Sequence, residues 1–184
     1  MAKKLNNAQK LRASICFECG CIPSQTAWQR MCEAKGEDYD DVRYMADQMN
    51  IDDDAVVTIE CLQSKEELHV VADHYNWDDN ALPSLQAMID HPLCDAGTAL
   101  LLFWKGEGYR ALSPNPGYAS AEIITFFKTL YQRFCHQEFN SYSIAFDPYE
   151  EGYVPTLEES IAQAYFIPGV FFCPYSRMFV QDCL

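Results

Sequence analysis

Residues Ala96–Trp104 read A-G-T-A-L-L-L-F-W, apolar nearly all the way round a helix, with Asp95 placed in front to cap it. A helix with no polar face belongs at the centre of a core, so the rest of the chain must wrap this segment. That requirement favours helix packed on helix. The signals on either side agree, because they come as short helical units joined by a few polar residues.

Ala8, Leu11 and Ile15 share a face of a first expected helix, which Gly20 and Pro23 end. Ser24 can cap a second, with Ala27, Trp28 and Met31 on one side and Gly36 behind it. A third starts near Asp38 and carries Val42, Met45, Ala46 and Met49. Asp52–Asp54 suit a helix start and Ala55, Ile59 and Leu62 its face, although Val56–Glu60 also has the composition of a strand. Ser64 and Glu67 form a capping box ahead of Leu68, Val71, Ala72 and Tyr75. Pro83 fits the first turn of the next helix, with Leu85, Met88 and Ile89 inward and His91-Pro92 at its end. Beyond Trp104, Gly106–Gly117 reads as a Gly/Pro-rich loop. A long helix follows with Ile123, Phe127, Leu130 and Phe134 on one stripe. Thr156 and Glu159 form a second capping box, for Leu157–Tyr165, and an aromatic tail with Pro168, Gly169 and Pro174 closes the chain.

The expected architecture is mainly α: a compact bundle of short antiparallel helical hairpins. Its irregular C-terminal segment packs over the helices and has room for a short strand. The 184 residues suffice for one domain. Within it, residues 1–50 form an N-terminal helical layer, 52–147 the core, and 148–184 the last helix and extended tail.

The formal charge of -14 is the strongest global constraint. A field of that sign repels nucleic-acid backbones and anionic membranes, and it attracts a basic protein partner. The same acidity also serves plain solubility. No apolar run reaches the length of a membrane span, and no apolar signal core follows Met1-Ala2-Lys3-Lys4, so a cytoplasmic protein is expected. Nine cysteines without such a signal argue for reduced, mostly buried thiols.

Few residues promise chemistry. Cys16, Cys19 and Cys21, with Cys32 beyond, could start a zinc site, but the second pair of ligands that zinc needs is missing. Cys16 and Cys19 also sit one helical turn apart, where buried small residues are ordinary. The acidic runs Glu37–Asp41 and Asp52–Asp54 lack the spacing of a calcium loop. No nucleophile elbow, phosphate loop, dinucleotide fingerprint or H-E-x-x-H occurs, so no cofactor and no metal are expected.

Two polar corners stand out, at Asn76–Asn80 and Cys94–Thr98. Helix ends explain them well: Asn76 can close one helix in a left-handed turn, Trp77 can pack as a lid, and Asp78, Asp79 and Asp95 can accept from free backbone N–H groups. The functional alternative joins Tyr75, Asn76, Trp77, Asp78, Asp79 and Asp95 into one partner-binding surface, since Trp is a favoured interface anchor. A third reading makes Asp78, Asp79 and Asp95, with His74 or His91, the acid–base groups of an enzyme pocket.

These same residues resemble a bacterial family known as domain of unknown function 4274. The likeness rests on Glu67-Leu68, Ala72-Asp73, Tyr75-Asn76-Trp77-Asp78-Asp79, Pro83, Ile89, and Cys94-Asp95-x-Gly97-Thr98-Ala99-Leu100 with Phe103-Trp104. It spans roughly Asp52 to Asp147, and Asn80 stands where the family has glycine. The resemblance implies a helical fold and brings no established activity. Families of this kind often occur as small acidic proteins near polymorphic toxins, which implies an immunity role. The expectation is a protein that neutralises a toxin by direct binding, with the carboxylate-pocket enzyme as the alternative and the oligomeric state open.

Overall fold

The computed structural model describes residues 5, 6, 9, 12, 13 and 16, and residues 58–172 apart from 76, 78–81, 118, 150 and 151. The chain divides into two compact units, Lys3–Asp79 and Asn80–Leu184 together with Met1–Ala2. It is mainly α. Among the described residues there is no strand, and Asp95 and Ser141 form an isolated parallel bridge. No helix among them is long and apolar enough to cross a membrane.

In the N-terminal unit, Gln9, Arg12 and Ala13 are helical. Asn6 and Gln9 open this helix by accepting each other's backbone N–H, at 2.9 and 3.0 Å. Ala8, Leu11 and Ile15, and the two helices expected between Ser24 and Asn50, lie outside the described residues. Ile59–Cys61 is a single 3-10 turn between extended Thr58 and Leu62, whereas Asp52–Val57, the rest of the helix or strand expected there, lies outside the described residues. Ser64 holds an extended backbone and caps the next helix. That next helix is α1, Lys65–Asp73, and Ser64 Oγ accepts from the Glu67 N–H as the capping box predicts. Leu68, Val71 and Ala72 are buried behind it.

The C-terminal unit holds α2 (Leu82–Asp90), α3 (Ala96–Lys105), α4 (Gly108–Leu112), α5 (Ala121–His136) and α6 (Leu157–Ala162). Every residue of α3 from Ala96 to Trp104 is buried, as its sequence demands. Helix α5 packs against α2, α3 and α4, with Phe126, Phe127, Leu130 and Phe134 inward. The expected loop Gly106–Gly117 therefore contains a helix. Glu107 takes a left-handed φ of 50° and turns the chain into α4. Gly108 is needed there less for its freedom than for its size, because a Cβ would run into the rings of Phe103 and Phe127.

Helix α6 ends three residues before the expected Tyr165. Ala164 turns left-handed at φ 52°, and the Tyr165 N–H donates back to the Ser160 carbonyl, which closes the helix. The tail then returns to the core through a 3-10 turn, Gly169–Phe171. Phe171 is fully buried, its ring parallel to that of Phe103 at 3.5 Å, and its carbonyl accepts from the Trp104 indole N–H at 3.1 Å. The tail beyond Phe172 lies outside the described residues.

Helix α5 ends the same way on Gln137, at φ 56°, with the Glu138 N–H bonded to the Arg133 carbonyl at 2.9 Å. A β-carbon in this conformation is strained, and glycine is not. Gln137→Gly is therefore expected to stabilise the fold by ~0.5–1 kcal/mol, read as a higher urea midpoint at unchanged slope.

Candidate functional site

At the first corner α1 stops at Asp73, and the His74 ring bonds the Val70 carbonyl at 2.9 Å, which also accepts the His74 backbone N–H at 3.1 Å. Tyr75 turns inward and is buried, with Trp77 edge-on to it at 5.2 Å between ring centres. Trp77 itself is half-buried. Its indole N–H is sealed from solvent and has no hydrogen-bond partner among the described residues. A donor in that position costs free energy, so it marks the corner as a place where the fold alone leaves a polar group wanting. Asn76, Asp78, Asp79 and Asn80 lie outside the described residues.

The second corner belongs to the C-terminal unit and is closed. Asp95 is fully buried. One carboxylate oxygen accepts from the backbone N–H groups of Gly97 (2.9 Å) and Ile144 (3.1 Å). The other accepts from the backbone N–H (2.9 Å) and hydroxyl (3.2 Å) of Ser143. The Ala96 N–H donates to the Ser141 carbonyl at 2.9 Å. Asp95 thus caps α3 and clamps residues 141–144 onto the helix start with one side chain. Gly97 lets the two backbones meet, since a Cβ there would overlap the Ile144 carbonyl. With its oxygens taken and no solvent contact, Asp95 is placed as a framework carboxylate, the helix-end role weighed for it in the sequence. His91 is similarly engaged, its Nδ1 accepting from the Leu93 N–H at 3.1 Å.

Beside Asp95, burial pushes the Cys94 thiol up from 9.0 to about 12, against an opposing pull from Arg133. Unfolded Cys94 releases its proton near pH 9, whereas the folded thiol keeps it to about pH 12. Its contribution to stability is therefore complete below pH 9 and lost as pH rises from 9 towards 12. In the native protein at pH 8, Cys94 should resist a thiol reagent while the exposed Cys61 and Cys135 react, as mass mapping of labelled peptides would reveal. Cys16 is buried too. Cys19, Cys21 and Cys32, which a zinc site would share with it, lie outside the described residues.

Two further features were not picked out in the sequence. An open cleft of about 570 Å³ is lined by Trp104, Tyr109, Arg110, Tyr153 and Glu159, among others. Arg110 is its main cation, but it is already matched, lying 3.1 Å from Glu107 and 3.8 Å from Glu159 and stacked near the Tyr165 ring. The second feature is apolar. Leu157, Ile161, Tyr149 and Phe166 are 78 %, 71 %, 61 % and 51 % exposed. None of the α6 residues is buried, although Leu157 and Ile161, four apart, look like a core face. The surrounding sequence is acidic. From Phe134 to Ser176 there is no Lys or Arg, while Glu138, Asp147, Glu150, Glu151, Glu158 and Glu159 all fall in that stretch.

Residues 63–135 match the family Domain of unknown function (DUF4274). That span runs from the capping residues of α1 to the last turn of α5, and it bears out the resemblance read from the two corners. No curated protein and no solved structure matches the chain.

Proposed function

We propose that the chain carrying this domain works by binding a basic protein, and specifically as an immunity-type protein that neutralises a toxin by direct contact. The observation that carries the reading is the formal charge of -14, which would steer a basic partner onto the surface and speed the encounter. Its specific form, a toxin as partner, comes from the setting in which such families occur. The carboxylate-pocket enzyme is disfavoured, because Asp95 spends its acceptor positions on the fold and has none left to move a proton.

Trp77, with Asp78 and Asp79 after it, is the contact this proposal assigns to the N-terminal unit. Trp77 is only half-buried, which leaves part of its ring to a partner, and Trp is a favoured interface anchor. Co-expression with the product of the neighbouring gene tests the whole. Protection of growth, together with an association rate that falls as salt rises, is the expected result. Absence of protection combined with salt-independent affinity would refute it.

A further inference from the structure

We propose that α6 and the turn after it form a docking face for a basic partner that offers an apolar recess. The proposal rests on the reading that the chain works by binding, and it locates one surface that does so.

Helix α6 contributes nothing buried to its own unit, yet it is well made. Thr156 caps it, with Oγ accepting from the Glu159 N–H at 3.1 Å, and Ala164 closes it. Behind it, Tyr165 packs edge-on against Tyr109 at 5.0 Å and lies beneath Arg110. The Phe166 N–H is held by the Ser113 hydroxyl at 2.7 Å. The segment is thus fixed in place while Leu157 and Ile161 point into solvent one turn apart, with Phe166 half-exposed beyond them. Large apolar side chains held rigidly at the surface suit an interface, because little conformational freedom is lost when they are covered.

Charge decides what covers them. Helix α6 carries the exposed carboxylates Glu158 and Glu159 and no Lys or Arg, and Arg110, 3.8 Å from Glu159, offsets only part of that charge. A second copy would bring a second set of the same charges against the first and be repelled. A basic face that receives Leu157 and Ile161 in an apolar recess satisfies both features at once.

Three synthetic helical peptides test this against the full-length chain by fluorescence anisotropy: one of Leu and Lys with an apolar stripe, one of Ser and Lys, one of Leu and Glu. The Leu/Lys peptide should bind, with shift changes in the NMR spectrum centred on residues 157–166. Leu157→Ser with Ile161→Ser should weaken it by about tenfold or more at unchanged Tm. Glu158→Lys should weaken it less and flatten its salt dependence. The inference is overturned if the Leu/Lys peptide does not bind, or if the Ser/Lys or Leu/Glu peptide binds as tightly. It is also overturned if the double variant binds like the parent. A fall in Tm in that variant would mean that the chain's own residues cover the stripe, and dissociation of a dimer would assign it to a second copy; either result rejects a basic partner there. Toxin protection can fail while the peptide still docks on α6, or succeed in the double variant, so the two proposals fail separately.

Discussion

Asp95→Ala is expected to destabilise the fold by about 3–5 kcal/mol, a large share of a domain's total stability. A helix N-cap alone is worth about 1 kcal/mol when removed. Here the same carboxylate also serves the backbone N–H groups of Ser143 and Ile144 and the Ser143 hydroxyl. Truncation takes the acceptor from the buried Gly97 N–H and from the part-buried Ile144 N–H, while the donors of the exposed Ser143 can turn to water. Asn would do little better, because its amide nitrogen turns one accepting oxygen into a donor facing donors. Gly97→Ala should fail at the same joint by a different route, its methyl forcing Ile144 away from the start of α3. Since either change opens one junction, the double variant should lose much less than the sum of the two. Urea denaturation measures all three. A loss below about 1 kcal/mol for Asp95→Ala would mean that residues 141–144 stay in place without the carboxylate.

The second large effect is expected in the N-terminal unit. Arg12 and Glu67 form a buried ion pair, with Nη2 to Oε1 at 2.7 Å and Nε to Oε2 at 3.2 Å. Glu67 is fully buried and also accepts from the Gln63 N–H at 2.8 Å. Arg12→Met removes the cation and strands a carboxylate, which should cost about 3–5 kcal/mol. The loss should change little with salt, because a buried pair is poorly screened. Adding Glu67→Leu should recover much of it, since a matched apolar pair avoids desolvating either charge. A double variant as unstable as Arg12→Met alone would contradict this account and point to the Gln63 contact as the dominant interaction.

These two carboxylates also mark how far sequence could see. Ser64 and Glu67 were legible as a capping box from their spacing, and Ser64 plays its part as expected. Glu67 does not reach back to the capping residue's N–H in the usual manner. It takes the Gln63 N–H and the guanidinium of Arg12 instead, a partner 55 residues away that no local pattern names. Asp95 was legible as the cap of α3, while its hold on Ser143 and Ile144 was not. The family match at 63–135 was legible in the motif residues of the two corners. Helix α4 was hidden because Gly106 and Gly108 read as breakers, whereas Gly108 is small to admit two aromatic rings. Leu157 and Ile161 lie four apart on α6, a spacing that describes a helix face but carries no information about what lies opposite.

By itself, the sequence determined where helices begin and which faces are apolar, from the buried run Ala96–Trp104 outward. Caps, turns and helical periodicity are interactions between residues at most a few positions apart, so neighbours encode them. The tertiary structure alone decided that Glu67 and Asp95 are buried and matched, that Phe171 closes the core on Phe103, and that α6 stands out in solvent. Each of those outcomes depends on which distant group arrives to satisfy a charge, fill a space or leave a face uncovered. Only packing of the whole chain settles that.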